Sequence, residues 1–145
     1  MKAINKRILI LTSIVILLPM FVGLALWNRL PEQMPTHFGF NGTVDGYSSR
    51  LFAVVGLPLF LLAMQLFCAV MLRADPKKQN ISEKMAQLVL WVCPAASLFV
   101  GLSMYLSALG FAINVSRFGM IFVGLLFVVI GNYLPKCRHN YTVGI

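Results

Sequence analysis

Four long apolar blocks constrain the fold of this chain more than any other feature of its sequence. Each offers the roughly 20 predominantly apolar residues that a helix needs to cross the hydrocarbon core of a bilayer. The blocks lie at about residues 8–27, 52–72, 87–106 and 116–134. None contains Asp, Glu or Lys, and Arg117 lies at the edge of the last one. The pattern predicts an all-α, integral membrane four-helix bundle that forms a single domain over residues 1–145.

The composition excludes the soluble classes of protein. Hydrophobic residues make up 59% of the chain and charged residues only 11%, which is more apolar surface than one soluble core of this size buries. The net charge of +8 does not indicate nucleic-acid binding, because the cations lie in short runs beside apolar blocks, as in proteins that encode their membrane orientation. The lipid bilayer is the first expected partner, and no direct contact with nucleic acid is expected.

The distribution of Lys and Arg predicts how the bundle is oriented. Nine of these residues flank the blocks on one side of the membrane: Lys2, Lys6, Arg7, Arg73, Lys77, Lys78, Lys84, Lys136 and Arg138. Three flank them on the other side: Arg29, Arg50 and Arg117. Because Lys and Arg are enriched in cytoplasmic loops, both termini are predicted to be cytoplasmic. The first loop, residues 28–51, is then extracellular.

Turn residues in this first loop predict a small β-hairpin cap. The dipeptide Asn41-Gly42 is the strongest short hairpin signal, because a type I′ turn requires positive φ at both central positions. Such a turn would place Phe40 opposite Thr43 and Phe38 opposite Asp45. The two phenylalanines would then share one face of the hairpin, and this face is expected to lie against the helix ends.

The polar residues of the loop do not form a convincing catalytic set. His37 and Asp45 would lie on opposite faces of the predicted hairpin, and His139 is predicted to lie across the membrane. A zinc site needs three or four ligands, so no metal, cofactor or enzymatic activity is expected. His37, Asp45 and Arg50 are instead expected to make local hydrogen bonds that cap the loop, and Ser48 is expected to cap the second helix.

Small and polar residues predict how the helices pack, because small side chains let membrane helices approach closely. Three helices carry such pairs: Pro19 with Gly23, Ser97 with Gly101, and Gly124 with Gly131. Gln65 is expected to hydrogen-bond a neighbouring helix. Pro58 and Pro94 are expected to kink their helices or to end the first regular turn.

The predicted cytoplasmic loop, residues 73–84, is short and basic. Asp75-Pro76 is expected to end the second helix, and Asn80 or Ser82 to cap the third. Two interpretations of the basic residues stay open, contact with anionic lipid headgroups and docking of an acidic surface of a soluble partner. The candidate residues of this partner face are Lys77, Lys78, Asn132, Pro135, Lys136, Asn140 and Gly144.

Two stretches resemble one known family. The first consists of Leu30-Pro31, Pro35, His37-Phe38, Asn41-Gly42, Asp45-Gly46-Tyr47 and Ser48-Ser49-Arg50. It resembles the N-terminal domain of unknown function found in SdpI-type bacterial membrane proteins. The second consists of residues 131–136 with Asn140-Tyr141 and Gly144-Ile145. It is similar to the start of the SdpI signature, which in that family continues into two more membrane helices. The chain is accordingly expected to be a short relative, a truncated gene product or a cut piece.

The resemblance implies a protein of the bacterial cytoplasmic membrane that gives immunity against a secreted peptide toxin. It also implies signalling, in which toxin outside leads the protein to hold a winged-helix repressor at the membrane inside. The candidate recognition residues of the outer loop are Pro35, His37, Phe38, Asn41, Gly42, Asp45, Gly46, Tyr47 and Arg50. The alternatives are an inactive truncated relative and a small transporter or permease subunit, whose polar path would rest on Gln65, Ser97 and Ser103.

Overall fold

Four helices and one hairpin make up the fold of this chain, for which a computed structural model describes residues 5–143. The elements in chain order are α1 (Lys6–Ala25), β1 (Gln33–Phe38), β2 (Val44–Ser49), α2 (Leu57–Ala74), α3 (Glu83–Ala108) and α4 (Val115–Tyr133). All four helices are long and apolar enough to span a membrane, and β1 pairs antiparallel with β2. The predicted fold class is therefore confirmed. We call the end of the bundle that carries β1 and β2 the hairpin end, and the opposite end the tail end.

The helix boundaries follow from capping side chains that an apolar pattern does not reveal. At α1, the Asn5 side chain accepts a hydrogen bond from Arg7 N. At α3, Ser82 Oγ accepts from Met85 N at 3.2 Å, so this helix begins with a polar turn that precedes the predicted block. Ser82, rather than Asn80, is the cap of α3. Asp75 follows the last residue of α2, as expected.

The start of α2 differs from its prediction. A π-helical turn, Phe52–Gly56, precedes the regular helix, and the N–H of Leu57 bonds Phe52 O. Pro58 is the second residue of α2, and its nitrogen has no hydrogen to donate to the π-helical turn before it. Ser48 does not cap this helix, because strand β2 continues through Ser49. The Ser49 hydroxyl accepts from Phe52 N at 3.3 Å instead.

Helices α1 and α3 make the closest contact in the bundle. A Cβ on Gly101 would lie 2.6 Å from Pro19 Cβ, and one on Gly23 would overlap the Tyr105 hydroxyl. Hydrogen bonds reinforce this contact: Ser97 Oγ donates to Ile16 O at 2.8 Å, and the Tyr105 hydroxyl donates to Pro19 O at 2.7 Å. The small residues predicted on these two helices therefore face each other.

Helix α2 is joined to α1 by a buried amide. Gln65 is 0% exposed, and its Nε2 donates to Thr12 Oγ1 at 2.8 Å and to Ser13 Oγ at 3.3 Å. This confirms that Gln65 bonds a neighbouring helix. Its Oε1 has no hydrogen-bond partner among residues 5–143.

Helix α4 lies at the periphery and packs mainly against α3. The rings of Phe99 and Phe122 stack with centroids 4.7 Å apart. Within the described part of the chain, no residue of the apolar window of α4 is buried. The same part of the chain places nothing within 4 Å of a Cβ on Gly124 or Gly131. The predicted small-residue face of α4 therefore makes no close contact with any other element of residues 5–143.

Candidate functional site

The hairpin carries the residues predicted for recognition, and its turn differs from the predicted one. Gly39 N donates to Thr43 O at 2.8 Å, and Gly42 N donates to Gly39 O at 2.9 Å. The loop therefore contains three residues rather than two. Gly42 has a φ of 84°, the left-handed conformation that closes such loops. The predicted type I′ turn is wrong because Asn41 does not share this positive φ.

The altered register brings His37 and Asp45 together. The pairing steps from Phe38–Val44 to His37–Gly46, which leaves Asp45 as the extra residue of a β-bulge. His37 Nδ1 lies 2.5 Å from Asp45 Oδ1, so the prediction that these side chains face opposite sides is wrong. The side chains are 75% and 48% exposed, and water weakens such a pair. Their contact is thus a local hydrogen bond of the hairpin, as expected for these residues.

The hairpin tip, which we define as residues 39–43, exposes an aromatic ring. Phe40 is 98% exposed, so the prediction that it lies against the helix ends is wrong. The physical reason is that Phe40 belongs to the turn itself and to neither face of the strands. Four of the predicted recognition residues are also exposed, namely His37, Asn41, Asp45 and Tyr47. The others are half-buried (Phe38, Gly42, Gly46 and Arg50) or buried (Pro35).

The base of the hairpin is fixed to the helices in two ways. Met34 is fully buried in a cluster with Leu30 and Val54. Arg50 Nη1 donates to Trp27 O at 2.7 Å and to Leu30 O at 2.8 Å, where the chain leaves α1 and its carbonyls lack helical partners. The guanidinium also lies 4.6 Å from the centroid of the Trp27 ring. Arg50 therefore has the capping role expected of it.

The tip of the hairpin contacts the start of α4. Ser116 Oγ donates to Gly39 O at 2.5 Å. A Cβ on Gly42 would lie 2.9 Å from Asn114 Oδ1, and this oxygen also accepts from Arg117 N at 2.9 Å to cap α4. The hairpin is thus held at its base by the segment that follows α1 and by the π-helical turn that precedes α2, and at its tip by the start of α4.

At the tail end, the residues after α4 fold back onto the loop between α2 and α3. Asp75 is 4% exposed, and its Oδ2 accepts from Tyr141 N at 3.0 Å and from Thr142 Oγ1 at 2.7 Å. Asn80 O accepts from Arg138 N at 3.0 Å. Asn80 Nδ2 donates to His139 O at 2.8 Å. We call these contacts between residues 138–142 and 75–80 the tail clasp.

The pKa of the Asp75 carboxyl lies below its ordinary value of 3.8. Burial acts in the opposite direction and raises the pKa. The hydrogen bonds from the Thr142 side chain and from the backbone of Lys77, Tyr141 and Thr142 favour the charged form and outweigh burial. The carboxylate is therefore held ionised by the tail that it anchors.

Basic side chains surround the tail clasp. Lys77 Nζ lies 3.2 Å from His139 Nδ1 and 5.1 Å from the centroid of the Tyr141 ring. Lys136 Nζ lies 4.5 Å from the centroid of the Tyr133 ring. Lys78 Nζ donates to Arg73 O at 3.2 Å. This end of the bundle therefore presents several cations near the ionised Asp75 carboxylate.

The structure separates the residues predicted for a partner face. Lys77 lies at the tail clasp, and Lys78, Pro135 and Lys136 lie in short 3-10 turns near it. Asn132 is exposed within α4. Asn140 is only 3% exposed, and its Oδ1 accepts from Thr142 N and Val143 N, so its side chain orders the tail and does not face outward. Gly144 lies outside the described residues.

Sequence reasoning missed the residues that join distant segments. The local pattern indicates only a helix terminator at Asp75 and only the start of an apolar block at Ser116. The partners of Asp75 lie 66 and 67 positions further along the chain, beyond the reach of any local pattern. The only signal in the sequence that the tail is folded is the group of polar residues after the last apolar block.

Within residues 5–143, no group of three or more His, Cys, Asp and Glu side chains is placed to hold a metal ion. The fold instead defines a class, a multi-pass membrane protein whose first two spans are joined by a β-hairpin.

Comparison with known proteins adds one assignment. The model of a family described as a domain of unknown function (DUF1648) matches residues 14–62, which cover most of α1, the hairpin and the start of α2. The protein therefore carries this domain over about a third of its length. No curated protein and no solved structure matches the chain.

Proposed function

We propose that this protein recognises a secreted peptide toxin through its hairpin and protects the bacterium that carries it. The observation that carries the proposal is Phe40, a nearly fully exposed aromatic ring on a hairpin fixed at both base and tip. Aromatic anchors supply much of the free energy of binding at protein interfaces. A rigid loop binds more tightly than a mobile one because less conformational entropy is lost.

The surroundings of Phe40 suit a peptide ligand. The exposed His37, Asp45 and Tyr47 offer hydrogen-bonding groups on the same hairpin. An aromatic anchor with a polar rim is the usual anatomy of a protein–peptide contact. The likeness of this loop to SdpI-type immunity proteins supports the same function.

The proposed orientation places the hairpin end outside the cytoplasmic membrane and both termini inside. The excess of Lys and Arg at the tail end supports it, because such residues are enriched in cytoplasmic loops. Secreted peptides would then meet the hairpin before they reach the bilayer. The alternative of a transporter is less well supported, since the Gln65 amide and the Ser97 hydroxyl bond α1 and do not line an open path.

Inside the cell, the basic tail end is the proposed surface for a soluble partner. Lys77, Lys78 and Lys136 are offered for an acidic surface, by analogy with the winged-helix repressor of SdpI-type proteins. Anionic headgroups of the inner leaflet would compete for the same cations. The proposal includes no enzymatic step and no direct contact with nucleic acid.

A growth assay tests the proposed immunity. A toxin-sensitive bacterium expresses the chain and is exposed to dilutions of medium from bacteria that secrete peptide toxins. We expect growth at toxin concentrations about tenfold higher than with an empty vector. The Phe40→Ala variant should lose most of this protection, because a hot-spot side chain commonly contributes 2 kcal/mol or more, or about thirtyfold in affinity.

The matched control is Phe111→Ala, which removes another exposed ring from the loop after α3, at the same end of the bundle. It should leave protection unchanged. Membrane fractions must show equal amounts of each variant. If the inserted wild-type chain gives no protection against any of the toxin media, the proposed function is wrong. Equal loss of protection in both variants would show that the hairpin tip is not the recognition site.

A further inference from the structure

Helix α4 is the least constrained span of the bundle along its length. In the described part of the chain, none of its apolar window is buried, whereas α1 and α3 are locked by the Gly101–Pro19 contact and by two interhelical hydrogen bonds. Between α3 and α4 lie two apolar grooves of about 310 and 210 Å³. Closely packed helices resist gradual displacement. Because α4 has grooves along its side, a shift of this helix costs less free energy than a shift of α1 or α3.

The hairpin end of α4 is nevertheless held by specific polar contacts. Ser116, in the first turn, donates to the Gly39 carbonyl of the hairpin tip. Asn114, the cap of the helix, lies against Gly42 of the same tip. Any change in the position of the hairpin tip therefore acts directly on the start of α4.

The tail end of α4 is held just as specifically. The chain leaves the helix through a 3-10 turn, Leu134–Lys136, and enters the tail clasp on Asp75 and Asn80. The tail residue Val143 lines the smaller groove together with Ile130 and Leu134 of the α4 end. The position of α4 and the closure of the tail clasp thus depend on the same contacts.

We infer that α4 couples the hairpin tip to the tail clasp, so that an event at one end changes the stability of the contacts at the other. Coupling of this kind requires a structural element with two arrangements. The hairpin tip and the tail clasp must both shift the equilibrium between these arrangements. The two arrangements are the tail clasp closed, as in this structure, and the tail clasp open, with residues 138–142 released from the loop. Opening would expose Asp75 and rearrange the cations around it.

The inference deepens the proposed function, on which its biological meaning rests. A ligand that binds Phe40 and shifts the hairpin tip would favour one state of the tail clasp. Coupling is reciprocal, so opening of the tail clasp must also loosen the hairpin tip. This reciprocity lets the coupling be measured without any ligand.

The test uses the full chain in lipid nanodiscs, with Cys68 and Cys93 replaced by alanine. Cys137 lies at the start of the tail, with its Sγ 3.7 Å from Ser82 Oγ, and its rate of reaction with a water-soluble maleimide reports opening of the tail clasp.

The Asp75→Asn variant weakens the tail clasp directly and should raise the rate of the Cys137 reaction. The Ser116→Ala variant acts only at the hairpin end and should raise the rate by up to about fivefold, the shift that the loss of one hydrogen bond allows when the coupling is complete. The control Ser49→Ala removes a hydroxyl that caps the π-helical turn before α2 and should not change the rate.

A second measurement examines the reverse direction. Hydrogen exchange of the amides of Gly39 and Gly42, which are bonded within the tip, should be faster in Asp75→Asn than in the wild type. If Asp75→Asn raises the Cys137 rate but Ser116→Ala does not, and the tip amides exchange at the wild-type rate, the coupling through α4 is refuted. Because no ligand is present, that result would leave the proposed immunity untouched. If Asp75→Asn fails to raise the Cys137 rate, Asp75 does not hold the tail clasp closed. The inference is then overturned as well.

Discussion

Single small residues decide how closely the central helices approach. Gly101 lies against Pro19, and a methyl group at this position would lie 2.6 Å from Pro19 Cβ. The proline ring cannot rotate away, so the backbones of α1 and α3 would have to separate. Separation would also lengthen the nearby bond from Ser97 Oγ to Ile16 O.

The Gly101→Ala variant is therefore expected to be destabilised by about 1–3 kcal/mol, the usual cost of overpacking. Thermal unfolding in detergent micelles measures the effect. The matched control is Gly124→Ala in α4, where the described residues leave open space around the new methyl group. This control should be neutral or slightly stabilised, because alanine is favoured over glycine in helices by up to about 1 kcal/mol. Equal melting temperatures for the two variants would contradict the close contact.

The amide of Gln65 illustrates the cost of polarity inside the bundle. Its Nε2 joins two helices through the hydroxyls of Thr12 and Ser13. Its Oε1 is buried without a partner in the described part of the chain, and such an orphaned acceptor costs about 1–3 kcal/mol. Interhelical hydrogen bonds in membranes average only about 0.6 kcal/mol. The amide therefore fixes which faces of α1 and α2 meet, and it adds little net stability.

At the scale of elements, the tail and the hairpin are the parts whose contacts respond to conditions. The tail depends on the carboxylate of Asp75, which accepts hydrogen bonds from the backbone of Lys77 and Tyr141 and from the Thr142 hydroxyl. A protonated carboxyl loses much of its capacity to accept them. The tail clasp is therefore sensitive to acid.

The folded pKa of Asp75 is lowered from 3.8, so the stabilisation is fully present above that ordinary value. It is lost as the pH falls through the lowered folded pKa. We expect the amide resonance of Tyr141 to keep its shift from neutral pH down to pH 4 and to titrate with a midpoint below 3.8. NMR of the ¹⁵N-labelled protein in acid-stable micelles measures this midpoint. A Tyr141 midpoint above 4 would contradict the anchoring role of Asp75.

The hairpin shows how the length of a turn changes the pairing of the strands on both sides of it. The Asn-Gly signal correctly placed a hairpin between residues 33 and 49, but the loop has three residues and not two. That single extra residue moved the register and placed Phe40 in the turn. A bulge at Asp45 and a second shift between Pro35 and His37 then lead to the pairing of Met34 with Ser48, in which Met34 is buried. The burial of Met34 against the helices, which no local pattern contains, favoured this arrangement.

At the scale of the whole molecule, the protein is a membrane bundle with a structured cap at each end. The hairpin end is held through Arg50 and Ser116, and the tail end through Asp75 and Asn80. The apolar middle is exposed over much of its surface, as is required of helices that face lipid. Apart from the interhelical bonds of Gln65, Ser97 and Tyr105, the polar contacts described above lie at the two ends, where water is present.

The proposed orientation predicts which end a membrane-impermeant reagent reaches. With Cys68 and Cys93 replaced by alanine, the native Cys137 should stay unlabelled in intact cells and react after the cells are opened. In a variant without Cys137, an Asn41→Cys substitution at the exposed hairpin tip should react in intact cells. Labelling of Cys137 in intact cells with protection of Asn41→Cys would reverse the orientation and, with it, the proposed site of toxin recognition.

The sequence by itself determined the class of fold, because four blocks of apolar residues have no stable place except a bilayer. It also determined the hairpin and the small residues that face each other between α1 and α3, since these depend on local spacing. Only the tertiary structure decided that Asp75 anchors the tail, that His37 meets Asp45 and that Phe40 is exposed. Those contacts depend on the register of the strands and on segments more than 60 positions apart, which are brought together only when the whole bundle packs.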